Sequence, residues 1–219
     1  MLGLMAESGW RWVVFDLDGT VVNTIPLIIA SYDHAMWSVL GEHTEVQEAR
    51  SWIGQTLYQT FQRRYPDHAE ALIAAYTEFN LREMPTRLQQ YPGLSELLSE
   101  LGGAGVEFGV ATSKRRHSAE LTLGYSGLDQ ILPVTVAMED TAAHKPDPAP
   151  LRLALKRLGA AADDAVYIGD AVVDVAAAKA AGMAVIAVTW GAGTREDLVA
   201  AQPTAVVDTV AELRSLLLG

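Results

Sequence analysis

The chain has 219 residues, 50% of them hydrophobic and 20% charged, enough length and apolar content to bury the core of one large domain or of a domain with an insertion, which excludes a disordered chain. A net charge of -11 repels polyanions and argues against a nonspecific nucleic-acid or anionic-membrane surface. The absence of cysteine removes disulfides, thiolate metal sites and cysteine nucleophiles together.

The opening MLGLMAESGWRW lacks the basic segment and the apolar length of a secretory signal. No run is long enough to span a bilayer, since even Ala180 to Val188 is short and interrupted by Gly182, so the expectation is a cytoplasmic protein. The first strand-like run is WVVFD, residues 12–16. Between Thr24 and Tyr91 no strand-like run follows. LIIASYDHAMWSVLG, the region from Glu48 to Tyr65 and HAEALIAAYTEFNLREM instead carry apolar residues at helical spacing, which predicts an all-helical insertion. Pro92-Gly93 marks the return, and Ser95 to Gly105 predicts a helix opening on a Ser cap and stopping at glycines. Further strands are predicted at EFGVAT (107–112), VTVAM (134–138), VYIGD (166–170), AVIAVT (184–189) and AVV (205–207), with a helix in DPAPLRLALKRLGA between prolines and Gly159. Strands alternating with helices predict an α/β fold with a Rossmann-like parallel sheet. The boundaries expected are a core of 1–22 and 88–219 and a helical cap of 23–87 inserted after the first strand.

Ligands of open parallel sheets bind beyond the carboxyl ends of the strands, where this chain concentrates its suggestive residues. Asp16 and Asp18 follow the first strand, two apart and therefore on one side of an extended segment, where two carboxylates repel unless a cation or a shared proton relieves them. Thr112-Ser113-Lys114 follow the second strand, Lys145 lies beyond the third, and Gly169-Asp170 with Asp174 follow the fourth. Carboxylates in this number suit a hard cation such as Mg²⁺, and aspartate also serves as a nucleophile in aspartyl-phosphate enzymes. Each residue has an ordinary alternative. Asp16 or Asp18 could end the strand in an Asx turn, Thr112-Ser113 could cap a helix, Lys145 could be a solvated cation, and Asp174 could be a first-turn helix acid. Lys114, Arg115 and Arg116 read as a solvated helix start, and Trp190-Gly191-Ala192-Gly193 either as a loop close to the same sheet edge or as a turn packed on the core.

Asp16-Leu17-Asp18-Gly19-Thr20, Thr112-Ser113, Lys145-Pro146 and Gly169-Asp170 with Asp174 resemble, in this order and across nearly the whole chain, the four motifs of the haloacid-dehalogenase-like hydrolases. The resemblance implies that Asp16 attacks phosphorus, and that Asp18 protonates the leaving group and then activates water. It implies further that Thr112, with Ser113, binds a phosphoryl oxygen and Lys145 neutralises charge. Asp16, Asp170 and the Asp18 main-chain carbonyl would hold Mg²⁺, with Asp174 an auxiliary acid. An acid at Asp18 favours a phosphatase over a dehalogenase, because an alkoxide or phosphate leaving group needs a proton. Schiff-base phosphonate chemistry would need a cap lysine, and no lysine precedes Lys114. A sugar-phosphate mutase and a non-catalytic binding module of the same fold remain as alternatives. The cap's opening and WIGQTL (52–57) look closest to the pyrophosphatase branch near the phosphoglycolate phosphatases, although Asn23 stands where phosphoglycolate enzymes usually carry Asp. The expected partner is a small phosphorylated substrate, pyrophosphate or a small acidic ester, in a monomer or small homo-oligomer. Its anionic leaving group is expected to be gripped by Arg50 beside a turn at Gly54, ahead of Arg63, Arg64, Arg82 and Arg87.

Overall fold

Strand β1, Trp12–Phe15, has side chains buried on both faces, which requires a covering layer on each side of the sheet. The computed structural model, which describes residues 9–219, supplies both layers; the reading of MLGLMAES falls outside the described residues. The chain continues through β2 (Val22–Asn23), helices α1 (Ile25–Leu40), α2 (Val46–Ser51), α3 (Leu57–Arg64) and α4 (Ala69–Arg87), and β3 (Gln89–Gln90). Then come α5 (Leu94–Gly103), β4 (Glu107–Ala111), α6 (Arg116–Tyr125), β5 (Val134–Val136), α7 (Ala149–Leu158), β6 (Ala165–Gly169), α8 (Val172–Ala181), β7 (Ala184–Val188), α9 (Arg195–Ala200), β8 (Ala205–Val207) and α10 (Val210–Leu218).

The main sheet is parallel and six-stranded, in the order β5-β4-β1-β6-β7-β8. Alternation along each strand sorts the core into two layers. Val13, Phe15, Val166, Ile168, Ile186 and Val188 pack with α5, α6 and α10 through residues such as Leu98, Leu123 and Leu213. Val14, Tyr167, Val185 and Ala187 pack on the other face with α7, α8 and α9 through Leu151, Val175 and Leu198. β1 lies centrally, with Phe15 level with Val110 of β4 and Ile168 of β6. The chain order reverses direction across the sheet here, so the exits of β1, β4 and β6 meet at a topological switch point, where such sheets bind ligands.

The four helices between β2 and β3 have a core of their own. Tyr32 meets Trp52 edge-on at 5.0 Å and Tyr76 at 4.8 Å between ring centres, and Asn80 Nδ2 donates to Ser31 Oγ at 3.0 Å in the seam between α1 and α4. Both passages between this layer and the sheet run through one antiparallel pair, Val22 with Gln90 and Asn23 with Gln89. The sequence places no strand there, because two exposed glutamines carry no apolar alternation. Helix α5 begins behind Gly93, so Ser95 lies inside the helix instead of capping it. The helix after Thr112 starts only at Arg116, so Thr112 and Ser113 belong to the loop before it and do not cap it. No helix among the described residues is long and apolar enough to cross a membrane.

Candidate active site

The exit of β1 turns back sharply through Gly19. With φ at +81° and an Asp170 carboxylate oxygen 2.3 Å from where a side-chain carbon would sit, only glycine fits. Thr20 Oγ1 donates to Asp170 Oδ1 at 3.0 Å, and Ala192 N donates to Asp170 Oδ2 at 2.7 Å. Trp190 Nε1 reaches Thr20 O at 3.1 Å. The loop at 190–193 is therefore the cradle of Asp170, a role its composition did not reveal.

Lys145 is buried, and its ammonium donates to Asp16 Oδ1 at 2.7 Å, Asp174 Oδ1 at 2.6 Å and Tyr167 Oη at 3.0 Å. That uses all three donors. Tyr167 passes its own proton to Ala111 O at 3.1 Å. Asp174 Oδ2 accepts from Ala171 N at 3.0 Å in the first turn of α8, so Asp174 both caps that helix and orients the lysine. Burial opposes the charge on Lys145, yet Asp16 and Asp174 hold its pKa well above the ordinary lysine value. Burial pushes Asp16 up to about 7, against the pull of Lys145 and with the added repulsion of Asp174 and Asp18. Burial, Asp174 and Asp16 likewise push Asp170 well above the usual carboxylate range.

Asp16, Asp170 and Asp174 each bring a carboxylate oxygen within 4.8 Å of the others. Three buried acids face one buried ammonium, an imbalance that is costly in a low-dielectric interior. An all-oxygen set with surplus negative charge fits a hard divalent cation such as Mg²⁺. The Asp18 side chain stands apart from this cluster, its Oδ1 accepting from Lys114 Nζ at 2.7 Å.

Asp16, Asp18, Thr112, Ser113 and Lys114 line one cavity of about 550 Å³ beneath the helices α1 to α4. Thr112 is buried, and its Oγ1 accepts from Lys114 N at 3.1 Å, which leaves its hydroxyl proton available. Ser113 Oγ donates instead to Gly54 O at 3.0 Å. Gly54, at φ +93° and with Val173 Cγ2 2.9 Å from a would-be side chain, is the close turn against the sheet side that its sequence context predicts. The reading of Lys114 as solvated is corrected: its side chain is 12% exposed and bonded to Asp18, because a loop of four residues separates β4 from α6 and swings it over the β1 exit. Arg50 also differs from expectation. Its Nη1 donates to Gly191 O at 3.0 Å and Ala192 O at 3.2 Å, so the guanidinium clamps α2 onto the Asp170 cradle and does not line the cavity. Arg82 and Arg87 pair with Glu83, and Arg64 stacks over Trp52.

Residues 13–188 match the family model described as haloacid dehalogenase-like hydrolase. The pyrophosphatase PpaX of Bacillus cereus (strain AH820) is 33% identical over 205 residues, covering 94% of this chain and 95% of that protein. The pyrophosphatase PpaX of Bacillus velezensis is 33% identical over 209 residues, covering 95% and 97%. The crystal structure of a predicted phosphatase from Clostridium acetobutylicum superposes with a TM-score of 0.86 at 26% identity, covering 96% of this chain and 99% of that one. With four motifs converging on one sheet edge and a family match over most of its length, this chain belongs to the haloacid dehalogenase-like hydrolases.

Proposed function

We propose that the chain is a Mg²⁺-dependent phosphatase that removes a phosphoryl group from a small phosphorylated metabolite or pyrophosphate through an aspartyl phosphate on Asp16. The observation that carries this reading is that Asp16 and Asp18 open into the same cavity from unlike surroundings. One is buried against Lys145, the other partly exposed against Lys114, and two carboxylates in different environments suit two different roles. The pyrophosphatase relatives support the same class of reaction.

Asp16 attacks phosphorus and the bond from phosphorus to the leaving oxygen breaks. Asp18 gives that oxygen a proton, then takes one from the water that hydrolyses the aspartyl phosphate. Thr112 offers its free hydroxyl proton to a phosphoryl oxygen. Ser113, whose hydroxyl is engaged by Gly54, contributes through its main chain. The incoming phosphoryl group competes for Lys114 and so releases Asp18 for proton transfer. Asp16, Asp170 and the main-chain carbonyl of Asp18 would hold Mg²⁺, with Asp174 behind them as the acid that positions Lys145. When bound, the ion would neutralise the surplus carboxylate charge and polarise the transferring group. On this reading residues 23–87 are a cap domain over a core of 1–22 and 88–219.

The test is phosphate release from 4-nitrophenyl phosphate. Turnover should require Mg²⁺, stop on chelation, and fall on the order of 10⁴-fold or more in Asp16→Asn, the scale of removing a nucleophile. Turnover that survives either chelation or the substitution would contradict the mechanism.

A further inference from the structure

The cavity's two walls differ in kind. The sheet side carries every acid and cation of the reaction. The cap side is mostly apolar, with Ile28, Ile53, Leu57, Ile73 and Leu81 and with Tyr58 61% exposed at the mouth, and its polar members Gln55, Thr77, Asn80 and Glu78 bring no positive charge. Among the described residues no arginine, lysine or histidine of the cap lines it. The cations that do line it, Lys114 and Arg115, stand on the sheet side beside Thr112, with Lys114 paired to Asp18.

We infer that the leaving group of the physiological substrate is an apolar alcohol, alkyl or aryl, so that this chain acts on hydrophobic phosphomonoesters in preference to pyrophosphate or short acidic esters. The inference rests on the phosphatase reading and narrows it. With the phosphoryl group at Asp16 and Thr112, whatever leaves must project toward the cap. A departing phosphate or carboxylate would there face a mostly aliphatic wall that also carries the Glu78 carboxylate, with no cap cation to pair it, which is unfavourable. An alkyl or aryl body gains from the same wall, roughly fourfold in binding for each methylene it buries. A volume of about 550 Å³ lies within the range of about 300 to 1,000 Å³ typical of pockets for drug-sized molecules, far beyond what pyrophosphate fills. The balance is that of ester hydrolysis: the ester oxygen leaves as the alcohol with a proton from Asp18, and water supplies the oxygen that ends on phosphate. Arg50, held by two main-chain carbonyls, keeps this wall docked without entering it.

The experiment uses the full chain in saturating Mg²⁺ and non-hydrolysable probes, so that binding is read apart from chemistry. Calorimetry with methyl-, butyl- and hexylphosphonate should show affinity rising several-fold per added methylene until the cavity fills, with hexylphosphonate at least tenfold tighter than methylenediphosphonate. A flat series, or tighter binding of methylenediphosphonate, would overturn the inference and leave the phosphatase reading standing. Phosphate release from hexyl phosphate is measured in parallel. A rising phosphonate series without any phosphate release would instead overturn the phosphatase reading while the apolar recognition stands.

Discussion

The two walls of the cavity were built under opposite constraints. On the sheet side, Lys145, Asp16, Asp170 and Asp174 are buried charges, and each is held by partners: Asp16 by Lys145, Lys145 by Tyr167, Asp170 by Thr20 and the loop at 190–193, and Asp174 by Lys145 and by Ala171 at the start of its own helix. On the cap side, Ile53, Leu57 and Ile73 make no directional contact, and a substitution there changes only shape and polarity. The first wall tolerates almost no change because moving one charge leaves another unpaired. The second can drift, and with it the leaving group, while the chemistry stays the same. Relatives with one reaction and several substrates are the expected consequence.

The largest effect expected after loss of Asp16 is at Asp18. Asp18→Asn should lower kcat by about 10² to 10⁴-fold for an alkyl phosphate, the scale of general acid catalysis, and much less for 4-nitrophenyl phosphate, whose leaving group departs as an anion. Equal losses in steady-state assays of the two esters would remove the acid role. On the opposite wall, Ile73→Asp should raise KM for hexyl phosphate about tenfold or more, since it replaces buried methylenes with a desolvated carboxylate. The KM for methyl phosphate should stay within a few-fold. A parallel fall in kcat for both would show that the residue shapes the reacting centre.

The sheet wall was the more legible of the two. Asp16, Asp18, Thr112 and Asp170 stand out because polar groups directly after apolar runs lie at strand ends, and a parallel sheet collects those ends along one edge, whereas Lys145 and Asp174, farther along the chain, stand out through their place in the resemblance to the haloacid-dehalogenase-like motifs. Lys114 and Tyr167 escaped for opposite reasons. Lysine after a strand is usually solvated, and only the short path from β4 to α6 turns this one inward. Tyr167 sits inside the apolar run VYIGD, where its ring reads as core and its hydroxyl goes unnoticed. Arg50 drew attention as the cation nearest a predicted turn. The turn is real, but the guanidinium fits two carbonyls of the Asp170 cradle. The apolar cap wall had no signal of its own, because a leucine that lines a cavity and one that fills a core obey the same helical spacing.

Smaller effects sharpen the contrast. Tyr167→Phe removes one of three acceptors from Lys145 and should cost about 1 kcal/mol, which lowers Tm by about 2 to 4 °C in a domain of this size, with little change in KM. A larger rise in KM than fall in Tm would place the phenol in substrate binding. Without divalent cation, the raised values of Asp16, about 7, and Asp170 mean that the folded state binds more protons than the unfolded chain above the ordinary carboxylate value of about 4. Stability should therefore fall as pH rises from about 4 to 7, and Mg²⁺ should raise Tm more at pH 8 than at pH 5.5. Thermal melts with a Mg²⁺ effect independent of pH would separate the ion from these acids.

The division of labour itself is tested most directly by rapid acid quench with hexyl phosphate and 4-nitrophenyl phosphate, followed by mapping of the phosphorylated peptide. If the cap wall handles only the leaving group, both esters phosphorylate Asp16. Formation rates then differ with the ester and respond to Ile73→Asp for hexyl phosphate alone. The rate of dephosphorylation is the same from either ester, because the leaving group has gone. Phosphate on another residue, or a dephosphorylation rate that depends on which ester was supplied, would contradict the account.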